Sequence, residues 1–477
     1  MPAPPTPLVD AWRRARHRLG QPLQVPGHKG RYGLADDLGA DALGADLIGP
    51  LVRDDVAMQG GLDDNAYSGR FLEQAEALWA ASVGADHARF LVGGSSQGNI
   101  TALVLIGGPG QAVAVDRTSH RSALSGLVIS GSRPTWIYPR IHPELGLPLG
   151  VDPASLEDLP EQVSAVFVTA PSYVGTIADV AGLARACHAR DRVLAVDQAW
   201  GAHLFFLPGA GAFAQGADLA VTSVHKALMG YSQTAVVGIR GPLLAASRLS
   251  QAVDLTATTS ASGTLMASID AARAVMERLG PAALERAIDL VEGMRVRLRT
   301  VPGLVVVDEA VASVPCDPLK LTLWLPRTGV HGVALAEDLW QRGHGVETAD
   351  LDSIVMTMTL VDDARFCERV TDLLIQLIEQ HRQLPRDPAP AALWQVTPQI
   401  VMSPREAYFA PRRRVPLAEA VGEVAAEQFC PYPPGVPLLA PGERVTADIV
   451  RDIQQAGELV RVAYCSDPSL QTMEVVA

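Results

Sequence analysis

The sequence predicts an α/β protein organised on a mostly parallel sheet covered by helices on both faces. Two observations predict it. Apolar strand-like segments recur between residues 88 and 237 with helix-like stretches between them, and strands that do not alternate with polar residues belong in sheets buried on both sides. The polar residues nearest these segments fall at their carboxyl ends, Ser95 and Ser96, Asp116, Thr169, Asp197, and His225 with Lys226. Open α/β sheets bind ligands at that edge.

Taken in order, residues 1–24 read as a Pro-rich start and a short Arg-rich helix, an N-terminal arm. Val25-Pro26-Gly27-His28-Lys29-Gly30 is a loop by its Pro and Gly content. The Gly/Asp-rich stretch through Gly60-Gly61-Leu62-Asp63-Asp64 has neither helical nor strand period. From residue 70 the pattern becomes regular. A helix is expected at 70–83 and a strand at 88–92, entering Gly93-Gly94-Ser95-Ser96-Gln97-Gly98-Asn99 and a second helix. Strands follow at 112–115, 165–169, 193–196 and 219–222, with an apolar segment at 234–237. Two long helices, 264–279 and 281–299, complete a large domain at 25–300. A smaller α/β unit at 301–385 has strands at 319–325 and 353–360 and helices at 333–342 and 362–381. A Pro-rich linker at 383–390 leads into a C-terminal domain, 386–477, with helices near 416–428 and 446–457 about a stiff turn at 431–435.

Composition bounds the function. The chain has 477 residues, 48% of them hydrophobic and 19% charged, with a formal net charge of -13. An acidic chain without a basic run does not suit nucleic acid or anionic lipid. No apolar run approaches the ~18 residues of a membrane span, and no export signal is visible, so a cytoplasmic location is expected. The five cysteines are scattered and form no CxxC pair, which predicts neither a disulfide framework nor a metal site.

The chemistry concentrates around Ser223-Val224-His225-Lys226. A lysine at the end of an apolar strand is costly to bury as a cation, and binding to an aldehyde as an imine removes that cost. Only three lysines exist, Lys29, Lys226 and Lys320, and Lys226 alone follows a buried-strand pattern with Ser and His beside it. Gly93 to Gly98 is a strand-to-helix turn whose N–H groups and hydroxyls suit a phosphate. Asp197, ending the strand VLAVDQ, needs a cationic partner, which a protonated pyridine nitrogen supplies. His120 follows a further strand and suits stacking on a flat ring. Each feature alone has an ordinary structural explanation. The set matches one cofactor, pyridoxal 5'-phosphate.

The same residues carry a family resemblance. PGHKG at 26–30, GLDD at 61–64, GGSSQGN at 93–99, VTAPSYVGTIADV around Tyr173, DQAWGAH at 197–203, SVHK at 223–226 and LMASIDAAR at 265–273 stand in one order. Ser403-Pro404-Arg405-Glu406-Ala407, Tyr432-Pro433-Pro434-Gly435 and Pro441-Gly442-Glu443 follow. In this the chain resembles the fold type I Orn/Lys/Arg decarboxylases, related in fold to aspartate aminotransferase. The resemblance implies a seven-stranded large-domain sheet. It also implies that Lys226 carries the cofactor, Asp197 pairs with its ring nitrogen and His120 stacks on the ring. Ser95, Ser96, Gln97, Ser223 and His225 would hold the phosphate, with Trp200 beside the cofactor. Thr258 to Ser262, Thr259 and Ser260 among them, would reach the phosphate of a second subunit, which makes a homodimer with composite sites. Glu347 and Asp350 would face the distal cation of the substrate. The wing domain of the larger relatives is not expected, nor is assembly through it.

The expected activity is pyridoxal-phosphate-dependent decarboxylation of a basic L-amino acid, lysine, ornithine or arginine, to its amine and CO₂, a reaction that serves polyamine synthesis, acid resistance or a secondary pathway alike. The alternative is the same scaffold diverted to oxidation, transamination, or elimination and cyclisation. Two departures from the family pattern motivate that alternative: Ala261, where a Pro is usual, and Glu423, where a basic residue is usual.

Overall fold

The computed structural model describes residues 3–17, 53–58, 62–63, 69–389, 397–432, 435–459 and 462–477. The predicted loop at 25–30 with Lys29, most of the Gly/Asp-rich stretch, and residues 433–434 of the C-terminal turn lie outside these.

The large sheet has seven strands: β1 (His87–Leu91), β2 (Ala112–Asp116), β3 (Arg133–Ile137), β6 (Val163–Thr169), β7 (Val193–Asp197), β8 (Leu219–Ser223) and β9 (Ala235–Ile239). A separate hairpin, β4 (Pro139–Ile141) with β5 (Pro148–Val151), lies between β3 and β6 in sequence. The spatial order is β1-β9-β8-β7-β6-β2-β3. Pairings from β8 through to β3 are parallel, and β9 pairs antiparallel with both β8 and β1.

Strand composition explains the layering. Val113, Val115, Phe167, Ala195 and Val221 pack into one apolar cluster, and their neighbours Ala114, Val166, Val168, Val196 and Ala220 into another. Successive side chains on a strand point to opposite faces, so both faces of the central strands carry buried apolar residues. Helices α3 (Gly94–Ile106), α4 (Ser122–Ser130) and α7 (Ala246–Thr256) cover one face. On the other lie α2 (Phe71–Val83), α5 (Val180–His188) and α8 (Gly263–Leu298), and α1 (Pro7–Arg16) docks on α8 with Leu8 N–H donating to Asp270 Oδ2 at 3.1 Å.

The two long helices expected at 264–279 and 281–299 are one helix, α8, of 36 residues with Pro281 inside it. An internal proline costs about 3 kcal/mol through its missing N–H and its clash with the preceding turn. Met276, Gly280, Leu284, Ala287 and Val291 form one buried stripe across the junction. Burial of that stripe offsets the cost, at ~25 cal/mol per Å² of apolar surface.

The smaller sheet is antiparallel throughout, in the order β10-β11-β13-β12: β10 (Val305–Val307), β11 (Lys320–Trp324), β12 (Thr348–Ala349) and β13 (Ser353–Thr357). The helix expected at 416–428 is absent. Its apolar residues instead follow β14 (Arg412–Pro416) as a single 3₁₀ turn, Leu417–Glu419, and an irregular segment. Gly422 there takes a φ of +92°, which no interior helical residue adopts. The segment's N–H groups bond outward, Gly422 to Val445 O and Ala425 to Glu443 O. Tertiary backbone pairing thus replaces the local helical ladder that composition alone suggested.

Candidate active site

The carboxyl ends of β6, β7 and β8 and the start of α3 surround a cavity of about 360 Å³. Nine of its lining residues are expected ones or strand-end partners: Ser95 and Ser96 on α3, His120, Thr169, Asp197, Trp200, His225, Lys226 and Glu347.

Lys226 sits in the short helix α6 (Val224–Ala227) directly after β8. Its amine lies 3.6 Å from the centroid of the Trp200 ring, a cation–π distance. Burial holds its pKa below the usual lysine value, with Asp197 and Glu347 opposing. Asp197 ends β7 and is 2% exposed. Its Oδ2 accepts from Asn99 Nδ2 at 2.7 Å and its Oδ1 from Ala199 N–H at 3.0 Å. Burial pushes its carboxyl up, and Lys226 is the largest influence in the other direction.

The phosphate-type residues converge from two elements. Gly94 has a φ of +68°, the left-handed region that glycine enters without cost. It brings the first turn of α3 beside His225, whose ring is 3.9 Å from where a Gly94 Cβ would stand. His225 bonds through Nδ1 to Thr234 O at 2.8 Å, and burial lowers its pKa. Ser223 is fully buried and its hydroxyl has no partner among the described residues, although it is not one of the residues that line the cavity. A buried hydroxyl at a helix start, with a glycine turn and a second hydroxyl pair opposite, fits an anion with several acceptor oxygens. Asp197 fits a ring cation. These residues therefore fit pyridoxal phosphate.

His120 bonds through Nδ1 to Ser122 Oγ at 2.8 Å. Its pKa falls from 6.5 to about 4, first through burial, then through the charges of Lys226 and Arg121. Between these values the unfolded chain binds more protons than the folded one, so the His120 contribution to stability falls as pH drops from 6.5 toward 4. Wild-type protein is expected to lose more stability between pH 7 and pH 5 than His120→Gln does, read from urea midpoints. Equal losses would contradict a neutral, buried His120.

Some expected residues stand elsewhere. Gln97 turns back on its own turn, its Oε1 accepting from Gly93 N–H at 2.9 Å. Asp116 is buried and committed to Thr118, accepting from its N–H at 2.8 Å and its hydroxyl at 2.6 Å. Thr259 and Ser260 are exposed and lie outside this cavity in the single chain. The two acids separate: Glu347 lines the cavity, whereas Asp350 Oδ1 accepts from the N–H groups of Asp352 and Ser353 at 2.8 and 2.6 Å. Glu423 lies outside the cavity and pairs with Arg413 at 2.7 Å.

Other residues at the site stood in quoted motifs but were given no role there. Asn99 orients Asp197 from one turn inside α3; its signal was the final residue of the Gly-rich segment. Tyr173 and Ser172 come from the loop after β6, and Tyr432 from the C-terminal domain. The latter two regions are distant in sequence, and only tertiary packing brings them to the cavity.

Comparison with known proteins identifies the family. Residues 6–312 match the family model described as Orn/Lys/Arg decarboxylase, major domain, and residues 389–460 match the C-terminal domain of the same family. The arginine decarboxylase of Halalkalibacterium halodurans is 32% identical, over 96% of this chain and 96% of that protein. The arginine decarboxylase of Bacillus subtilis is 31% identical, over 93% and 92%. The lysine decarboxylase LdcF of Francisella novicida superposes with a TM-score of 0.83 at 19% identity, over 99% of this chain and 81% of that one. The fold is that of the type I pyridoxal-phosphate-dependent enzymes. The chain belongs to the Orn/Lys/Arg decarboxylase family and is a decarboxylase.

Proposed function

We propose that this chain decarboxylates a basic L-amino acid, with pyridoxal phosphate held at Lys226 and arginine the first substrate to test. The observation that carries the reading is the buried amine of Lys226 beside Trp200 and Asp197, with Glu347 lining the same cavity. Arginine is favoured because relatives that match more than nine-tenths of this chain at 30% identity or more are arginine decarboxylases.

When bound, the cofactor supplies an electron sink for the pair released as CO₂ departs. The remaining roles fall to this chain. Ser95, Ser96, Ser223 and His225 hold the phosphate, Gln97 closes the turn by accepting from Gly93 N–H, and Asp197, steadied by Asn99, keeps a proton on the ring nitrogen. Lys226 attaches the cofactor, and its lowered pKa leaves more of it as the nucleophilic free amine. His120 remains neutral and provides a flat, uncharged face. With a pKa of about 4 it is a poor proton donor near neutrality, so Lys226 is the better source of the proton returned to Cα.

Glu347 meets the distal cation of the substrate. Asp350, turned on its own backbone, acts there only through its charge. Thr259 and Ser260, exposed in one chain, complete the phosphate site of a second subunit in a homodimer. Glu423 gives no support to a diverted reaction, because its carboxylate is spent on Arg413.

The test is turnover of cofactor-loaded protein with arginine, lysine and ornithine, with and without oxygen. Oxygen-independent CO₂ release, one amine product and the highest kcat/KM for arginine are expected. No CO₂, or CO₂ coupled to oxygen uptake, would overturn the reading. A preference for lysine would overturn the choice of substrate alone.

A further inference from the structure

The chain places a second lysine at the same ring. Lys320, first residue of β11, is 3% exposed. Its amine lies 3.8 Å from the centroid of the Trp200 indole, the ring that Lys226 approaches to 3.6 Å. Trp200 lines the cavity and Lys320 does not. The Lys320 amine also donates to Thr357 Oγ1 at 2.9 Å across the β11–β13 pair.

The surroundings are built for this contact. The stem of Lys320 passes Gly175, where an added Cβ would stand 2.8 Å from the Lys320 Cβ and Cγ. Gly175 has a φ of +95°, so the close approach and the backbone both require glycine there. Arg295 donates to the Lys320 carbonyl at 2.8 Å. Three residues beyond Trp200, His203 bonds to Asp317 Oδ1 at 2.8 Å, with both side chains 2% exposed. The loop carrying Trp200 and His203 is thus pinned twice by the turn carrying Asp317 and Lys320.

We propose that Lys320 is a positioning residue of this active centre, holding the Trp200 indole against Lys226 and acting on the reacting amine through that shared ring. This rests on the reading of Lys226 as the attaching amine. A cation on an aromatic face is attracted by the ring quadrupole, more strongly when water is excluded. A buried methylene stem without the charge would fill the space and leave the ring less restrained.

The grip depends on pH. The Lys320 pKa falls from 10.5 to about 8, chiefly through burial, with Lys226 adding to the fall and Asp317 and Glu347 opposing it. Arg295 and His203 face the same turn through the Lys320 carbonyl and Asp317. Protonated below about pH 8, the amine holds the ring as a cation; above it, the cation–π attraction is gone.

The experiment uses full-length protein carrying 5-fluorotryptophan, with the Trp200 resonance assigned by Trp200→Phe. In wild type the ¹⁹F signal is expected to shift with a midpoint near pH 8. Lys320→Arg keeps a cation at every accessible pH and is expected to lose that step while retaining most activity. Lys320→Met is expected to lose the step and to lower kcat/KM roughly three- to thirtyfold, the range a desolvated cation–π contact of ~0.7–2 kcal/mol implies. A step near pH 8 that persists in Lys320→Arg belongs to another group and overturns the proposal, as does its absence in wild type. These two outcomes decide the matter even where Lys320→Met fails to fold. Borohydride trapping of the cofactor on a residue other than Lys226 would sink the reading of Lys226 and leave the ¹⁹F step untouched.

Discussion

Lys226→Ala is expected to abolish covalent attachment of the cofactor and to lower turnover by roughly 10³-fold or more, the scale seen when a residue acting as nucleophile is removed. The variant should fold. Lys226 contributes a buried amine whose charged form burial disfavours, and its loss leaves the α6 backbone and the β8 strand intact. Asp197 keeps its Asn99 and Ala199 partners. A melting temperature close to wild type with no trapped cofactor would therefore assign the defect to chemistry. Turnover within tenfold of wild type would require a different attaching amine and would overturn the role given to Lys226.

The strands that carry this site were legible because both faces of the central sheet are buried. A segment such as VLAVD has no polar alternation to confuse its reading, and its terminal Asp197 then stands out. The edges were less legible. Strand β3 begins Arg133-Pro134 and was not anticipated; a proline removes one ladder donor, which an edge strand tolerates and a central one does not. The antiparallel insertion of β9 between β8 and β1 also left no signal, since pairing direction is set by the connection and not by composition. The opposite error arose at 416–428, where an apolar, Glu-spaced segment reads as a helix until Gly422 and the facing strand ends claim its backbone.

Within the site, legibility followed sequence distance. Lys226, His225, Asp197 and Trp200 belong to two short segments at strand ends. Lys320 obeys the same physics, a lysine at the boundary of an apolar strand, yet its partner is a ring 120 residues earlier, and no local pattern connects them. Glu347 and Asp350 looked equivalent in GVETADLD. Their fates diverged because the turn at 350–353 uses the second carboxylate to satisfy its own N–H groups.

The second large effect is expected on stability, at Glu443. Arg117, four residues before Arg121 and three before His120, donates to Pro437 O and Leu438 O at 2.8 Å and reaches Glu443 Oε2 at 3.3 Å. Arg117 and Glu443 are 5% and 1% exposed. Glu443 Oε2 also accepts from Ala440 N–H at 2.7 Å. The pair ties the C-terminal signature to the segment that carries His120, and Arg121 N–H adds a bond to Gly435 O at 2.8 Å. Burial pushes the Glu443 carboxyl up despite Arg117 beside it, so the intact pair offers little net stabilisation over an apolar pair of the same shape. Removing one partner is different, because it strands a buried charge. Glu443→Ala is expected to cost about 3–5 kcal/mol, and Arg117→Met with Glu443→Leu together less than Glu443→Ala alone. Glu423→Ala is the control. Its pair with Arg413 is shorter, 2.7 Å, but half exposed, and such pairs contribute ~0–1 kcal/mol. Urea unfolding of the three variants decides between burial and distance as the governing quantity. If Glu423→Ala proved the more damaging, the short contact would matter more than the dry one, and the C-terminal signature would have to act on His120 by some other route.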